Sequence, residues 1–420
     1  MLYFCLSFDE VKNNMTYNIH TLPNGLRIIH APNQSAVTYC GFAIDAGTRD
    51  EAEQEQGMAH FVEHLLFKGT KKRHAWHILN RMEHVGGDLN AYTNKEETVV
   101  YSAFLTEHFP RAVELLTDIV FHSTFPQHEI DKEVEVIIDE IQSYEDSPSE
   151  LIFDDFEGLL FPHHPLGRNI LGNPKLLRQF KSEDALRFTS RYYCPKNAIF
   201  FVQGNVDFKR VIRLLEKATA DLTSNAETFS RKRPDIYVPQ NQTIHRDTHQ
   251  AHVMIGSRGY DAHNEKRTAL YLLNNILGGP GMNSRLNVSL RERSGLVYNV
   301  EANLTSYTDT GIFCIYFGTD PKQTERCIRL VHKELKRLRE RPLSATQFAV
   351  AQKQIIGQIG VSCDNFENYA LDMAKTFLHY DKFEGPKGVF QRIEALTPHD
   401  LWEVANEMLD ENHLSTLIYS

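Results

Sequence analysis

The 420-residue sequence has no surplus of basic residues: 45 Lys and Arg stand against 55 Asp and Glu, a formal net charge of -10. A general nucleic-acid binder neutralises phosphates with a cationic surplus, so this balance argues against nucleic acid as a partner. Nor does any stretch approach the roughly 18 consecutive apolar residues of a membrane span, so no membrane partner is expected. Cysteine is sparse and scattered. Cys5, Cys40, Cys194, Cys314, Cys327 and Cys363 contain no C-x-x-C pair, which leaves out zinc-finger and thioredoxin patterns. Reduced, mostly buried thiols are expected instead. The N-terminus, MLYFCLSFDEVKNN, lacks the basic start of a secretory signal, and Asp9 and Glu10 cut its short apolar run. Without Arg or Ser enrichment it is a poor transit peptide too. Residues 1–14 read as an extension upstream of the true start, and a cytoplasmic location follows.

What remains is an ordinary globular composition, 41% apolar and 24% charged, at a length that predicts two or three domains. Two apolar runs around Pro23-Asn24-Gly25 predict a hairpin over 17–30. Further elements follow: a strand over 37–46, a helix over 54–67, a strand over 89–105 and a helix after Pro110. A second long helix runs from about Pro126 to Tyr144. Residues 223–243 are polar, carry two prolines and lack periodicity, as an interdomain linker would. After it the order of elements restarts, and VIIDEI at 136–141 lines up with QIIGQI at 354–359, 218 positions on. The expected fold is α+β, with two similar domains related by an internal repeat, over 15–222 and 244–420. Each would be a mostly antiparallel sheet covered by helices on one face.

Histidine is plentiful, at 20. Only two have a spacing that suggests ligation. In GMAHFVEHLLFKGT, residues 57–70, His60 and His64 lie four apart on an expected helix, so both imidazoles project from one face. That spacing lets both bind one Zn²⁺, while Glu63 can reach a water in the site without being a ligand. The bare H-x-x-E-H pattern is only suggestive, since an amphipathic helix can carry two surface histidines. A catalytic zinc site takes three protein ligands, so a third must come from another element. The helix after Pro126 offers Glu133 and Glu140, seven apart and on one face, but a solvated acidic face would look the same.

GMAHFVEHLLFKGT, VGGDLNAYTNKEETVVYSA at 85–103 and HPLGRNILG at 164–172 together resemble the pitrilysin/insulinase family of inverted zinc peptidases. The match is closest to the branch that resembles the mitochondrial processing peptidase, and it covers residues 15–420. In that family a glutamate 70 to 80 residues after the second histidine is the third ligand. The resemblance therefore implies Glu140, 76 positions after His64, and one Zn²⁺ per chain. It implies Glu63 as general base and Glu133 as a glutamate supporting catalysis. In LGGPGMNSRLNVSLRERSGLVYNV, residues 277–300, the glycine run lacks the Lys-Ser/Thr ending of a phosphate loop. Arg291 and Tyr298 match an Arg and a Tyr that complete the family's active site from the half without metal. Pro280 interrupts the family's glycine run, and position 139 is Asp; neither touches the proposed ligands. By the repeat, Tyr271 to Asn275 take the place of His60 to His64, and Gln358 that of Glu140.

The function so implied is a zinc metalloendopeptidase acting on oligopeptides or unfolded segments in an enclosed chamber. Substrate would add as a strand beside Leu89, Asn90, Ala91 and Tyr92. A homodimeric clamshell is expected, with Arg291 and Tyr298 acting at the partner's zinc. The alternatives are a dedicated precursor-processing peptidase and a non-catalytic peptide-binding or structural subunit on the same fold.

Overall fold

The computed structural model describes residues 17–223, 230–246 and 248–420. The extension expected over 1–14 and part of the linker, 224–229, lie outside these residues. The strands are β1 Asn18–Thr21, β2 Arg27–Ala31, β3 Val37–Ile44, β4 Asp88–Thr93, β5 Thr98–Leu105, β6 Ala198–Gln203, β7 Asn241–Ile244, β8 Ala251–Gly259, β9 Val297–Ser306, β10 Gly311–Thr319 and β11 Ser415–Tyr419. Helices of eight residues or more are α1 Met58–Leu65, α2 Ala75–Glu83, α3 Phe109–Phe121, α4 Gln127–Glu145, α5 Pro148–Leu160, α6 Ser182–Tyr192 and α7 Phe208–Ala218. They continue as α8 Arg267–Gly278, α9 Thr324–Glu340, α10 Ala345–Ser362, α11 Phe366–Tyr380, α12 Gly385–Ala395 and α13 Pro398–Met408. Among the described residues, no helix is long and apolar enough to cross a membrane.

The chain forms two compact units. The first takes residues up to 141, 168–231 and 360–387; the second takes 142–167, 232–359 and 388–420. In the first unit the strand order is β1-β2-β6-β3-β5-β4. Every neighbouring pair is antiparallel except β2 with β6. The strand expected over 89–105 is a hairpin, β4 and β5. Its polar tip, Asn94 to Glu97, breaks the alternation, and Asn94 N donates to Glu97 O at 2.8 Å to close the turn. Helices cover both faces of this sheet, not one. The reason is legible in β6, AIFFVQ, which is buried at every position, as a strand covered on both sides must be. Phe42 meets Phe121 of α3 on one face, with ring centroids 5.2 Å apart. On the other, Ala43, Val99, Ile199 and Phe201 pack against Met373, Ala374 and Phe377 of α11. Each large apolar side chain so buried contributes roughly 1.5–3 kcal/mol.

The second unit orders its strands β7-β11-β8-β10-β9, parallel only between β7 and β11. Met254, Ile312, Cys314 and Leu417 on one face pack with Ile152, Phe156 and Leu160 of α5. So α5 precedes the linker yet belongs to the second unit, and α11 follows it yet belongs to the first. The exchange obeys the repeat. Helices α5 and α11 begin at Pro148 and Phe366, and α4 and α10 at Gln127 and Ala345, each pair 218 positions apart like the VIIDEI and QIIGQI segments.

Candidate metal centre

In α1, Met58, Phe61, Val62 and Leu65 are buried at i, i+3, i+4 and i+7, which fixes which face the remaining side chains take. His60 and His64 follow one turn apart, with ring centroids 4.6 Å from each other. Helix α4 is anchored in the same way by Ile130, Val134, Ile137 and Ile141. That anchoring turns Glu133 and Glu140 toward α1. Glu140 Oε2 lies 3.9 Å from His60 Nε2 and 3.8 Å from His64 Nε2. One ligand atom from each of His60, His64 and Glu140 falls within 4.8 Å of the others, and no other group of His, Cys, Asp or Glu among the described residues does this. Two imidazoles and a carboxylate converging at this range suit Zn²⁺ and leave a fourth coordination position open.

The surroundings prepare these groups. Burial, reinforced by the charge of His64, pushes the His60 imidazole down to about 3, so it stays neutral, the form that binds metal. His64 Nδ1 donates to Glu133 Oε1 at 3.1 Å, and this tautomer leaves Nε2 free on the side of Glu140. Burial alone would lower His64, but the Glu133 hydrogen bond and the charges of Glu63, Glu133 and Glu140 carry it upward. Glu133 is pulled down in turn: burial opposes ionisation, but hydrogen bonds from His64 and Lys68 outweigh it. Lys68 Nζ sits 2.7 Å from Glu133 Oε2. Burial raises the Glu63 carboxyl, and Glu140 adds to the effect, against a Thr93 hydrogen bond and the charge of His64. Lys68 and Thr93 are absent from the sequence reading. Lys68 lies in the turn that follows α1, beyond the reach of helical spacing, so its place beside Glu133 carries no signal in the sequence. Thr93 ends β4 and carries none either.

Leu89, Asn90, Ala91 and Tyr92 lie on β4, the outermost strand of the first sheet, which among the described residues pairs only with β5. Arg291 and Tyr298 belong to the second unit. Arg291 sits in a π-helical turn, Asn287–Glu292, and lines a groove of about 470 Å³ with Asn274, Asn275 and Glu301. Tyr298 does not line it. Val297 points into the core, so its neighbour on the strand projects the other way and is 86% exposed.

Residues 27–174 match the family model described as insulinase (peptidase family M16), and residues 179–355 match the peptidase M16 inactive domain. An uncharacterized zinc protease of Rickettsia bellii is 31% identical over 405 residues, covering 96% of this chain and 97% of that protein. The chain belongs to peptidase family M16. A second relative, the uncharacterized zinc protease YmxG of Bacillus subtilis, is 30% identical over 400 residues, 95% of this chain and 97% of its own. Two solved structures share the M16 fold. A protease from Helicobacter pylori superposes with a TM-score of 0.88 at 24% identity, over 96% of this chain and 99% of its own. A peptidase M16 inactive domain from Pseudomonas fluorescens gives 0.90 at 17% identity, over 96% and 97%.

Proposed function

We propose that this M16 chain is a zinc metalloendopeptidase that hydrolyses peptide bonds of oligopeptides or unfolded segments. The observation that carries the reading is the convergence of His60, His64 and Glu140 within 4.8 Å, with Glu63 on the same helix. Zinc, when bound, supplies a Lewis acid that polarises the scissile carbonyl and acidifies water toward a pKa of ~7. His60, His64 and Glu140 hold the ion. Glu63 takes the proton of the attacking water and returns it to the leaving amine. Burial raises its titration, which makes it a stronger base for that task. Glu133 touches no substrate in this scheme; it positions His64.

The free edge of β4 binds an extended peptide by main-chain hydrogen bonds, which reads backbone more than side chains and gives broad specificity. Arg291 and Tyr298 stabilise the developing oxyanion at the zinc site of a partner chain, in a homodimer that encloses its substrate.

Zinc content and cleavage of a quenched-fluorescence peptide, measured on wild type and Glu63→Gln, test the core of this reading. About one zinc per chain is expected in both proteins, with cleavage by the variant reduced 10²-fold or more. Wild type that holds no zinc and cleaves nothing would sink the enzyme reading. A Glu63→Gln variant that cleaves at the wild-type rate would remove Glu63 from its role.

A further inference from the structure

The helix bearing His60, Glu63 and His64 is short, and its start is built from distant parts of the chain. Gly57 precedes it with φ 94° and has no side chain to cap the first amides. The cap comes from Glu51, which is only 4% exposed. Glu51 Oε2 accepts from Gly57 N at 3.0 Å and Oε1 from Ala59 N at 2.8 Å. The carboxylate thus holds two amides at the positive end of the helix, the second adjacent in sequence to His60.

Glu51 is itself held. Arg168 Nη1 donates to Glu51 O at 3.1 Å, and the Lys95 ammonium donates to Arg168 O. The same segment presses against the helix start. A Cβ on Gly57 would come within 2.8 Å of Gly172 Cα, and one on Gly172 within 2.4 Å of Gly57 Cα. That contact explains why the cap is remote. Ser, Thr or Asp at 57 would cap the helix locally, but their Cβ would collide with Gly172 and their φ would be strained. The fold keeps the close approach and brings a carboxylate from elsewhere, at the desolvation cost of burying it. Burial pushes the titration of that carboxyl up, while the Ala59 and Gly57 hydrogen bonds and the charges of Arg168 and Lys95 favour the carboxylate form.

Local helix propensity does not demand so expensive an arrangement. Exact placement of α1 does, because a shift of the helix along or about its axis moves both imidazoles together relative to Glu140 on α4. We propose that Glu51, braced by Arg168, is the positioning residue of the metal centre: it fixes the start of α1 so that His60 and His64 meet Glu140 at one ion. This inference rests on the zinc reading above.

The test uses the full chain as wild type, Glu51→Gln and Glu51→Asp. The readouts are zinc affinity by competition with a chromophoric chelator, the visible spectrum of the Co²⁺-substituted protein, and kcat and KM on the fluorescent peptide. Unfolding of the metal-free protein is followed alongside. Gln keeps one acceptor but turns an N–H toward a backbone N–H. Glu51→Gln is expected to weaken zinc binding about 10- to 100-fold, to change the Co²⁺ spectrum and to lower kcat with KM unchanged. Asp keeps both acceptors one methylene short, and is expected to fall between Gln and wild type in all three. A folded Glu51→Gln with wild-type zinc affinity, Co²⁺ spectrum and kcat overturns the proposal, even if it melts at a lower temperature. If Gln does not fold, Glu51→Asp with all three unchanged overturns it equally. Wild type without zinc overturns the functional reading itself, whereas zinc-binding wild type beside an indifferent Glu51 variant removes only the role of Glu51.

Discussion

Glu97 shows how one carboxylate can hold a helix from the far end of the chain. It sits at the tip of the β4–β5 hairpin, 2% exposed, and takes Lys375 Nζ at 2.9 Å and His379 Nε2 at 3.2 Å, both from α11. Burial alone would raise its titration, but His379 and Lys375 outweigh burial and hold it at about 2. An unfolded glutamate titrates near 4.5, so this contribution is complete above about pH 4.5 and is lost as pH falls toward 2. Glu97→Gln is therefore expected to destabilise the protein by about 3 kcal/mol at pH 7, with the gap closing between pH 4.5 and 2. Thermal unfolding of both proteins across that range reads it; a gap constant with pH would rule out the ion pair as its source. At the same scale, the metal site was legible only in part. His60, Glu63 and His64 announce themselves because a helical turn imposes their spacing. Glu140 could be picked out from Glu133 only through the family resemblance, since both fit an acidic face. Lys68, Thr93 and Glu51 act through contacts that no local spacing encodes.

At the scale of elements, most strands and long helices follow from hydrophobic period. The β4–β5 hairpin reads as a single strand because its flanks are both β-rich and only four residues separate them. The exchange of α5 and α11 is a different matter. An apolar stripe says that a helix must be covered, not which sheet will cover it. The exchange has a direct consequence. Residues 1–230 alone would leave the α11 face of the first sheet bare and α5 without its sheet. Expressed separately, that half is expected to aggregate or to bind a hydrophobic dye strongly, and co-expression with residues 231–420 is expected to restore a folded complex. A soluble, cooperatively unfolding first half that ignores the dye would contradict this.

For the whole molecule, the proposed homodimer makes a quantitative prediction. If Arg291 and Tyr298 serve the partner's zinc, a Glu63→Gln chain and an Arg291→Ala/Tyr298→Phe chain are each defective, yet a mixed dimer contains one intact site. Statistical mixing makes half the dimers mixed, so activity is expected to recover to about a quarter of wild type. Differently tagged chains would show that exchange had occurred. A mixture that exchanges but stays as inactive as its components, or wild type that is fully active and strictly monomeric by light scattering, would exclude the shared site.

The reciprocal helices also set a timetable for synthesis. The last strand of the first sheet ends at Gln203, but the helix covering its second face is complete only at Tyr380. A ribosome adding roughly 5–20 residues per second leaves that face bare for on the order of ten to thirty seconds. During that interval Ile29, Ala43, Ile199 and Phe201 form an apolar surface on a nascent chain. The first half therefore depends on the second in time as well as in space, and ribosome-associated chaperones would meet this protein as a bare sheet.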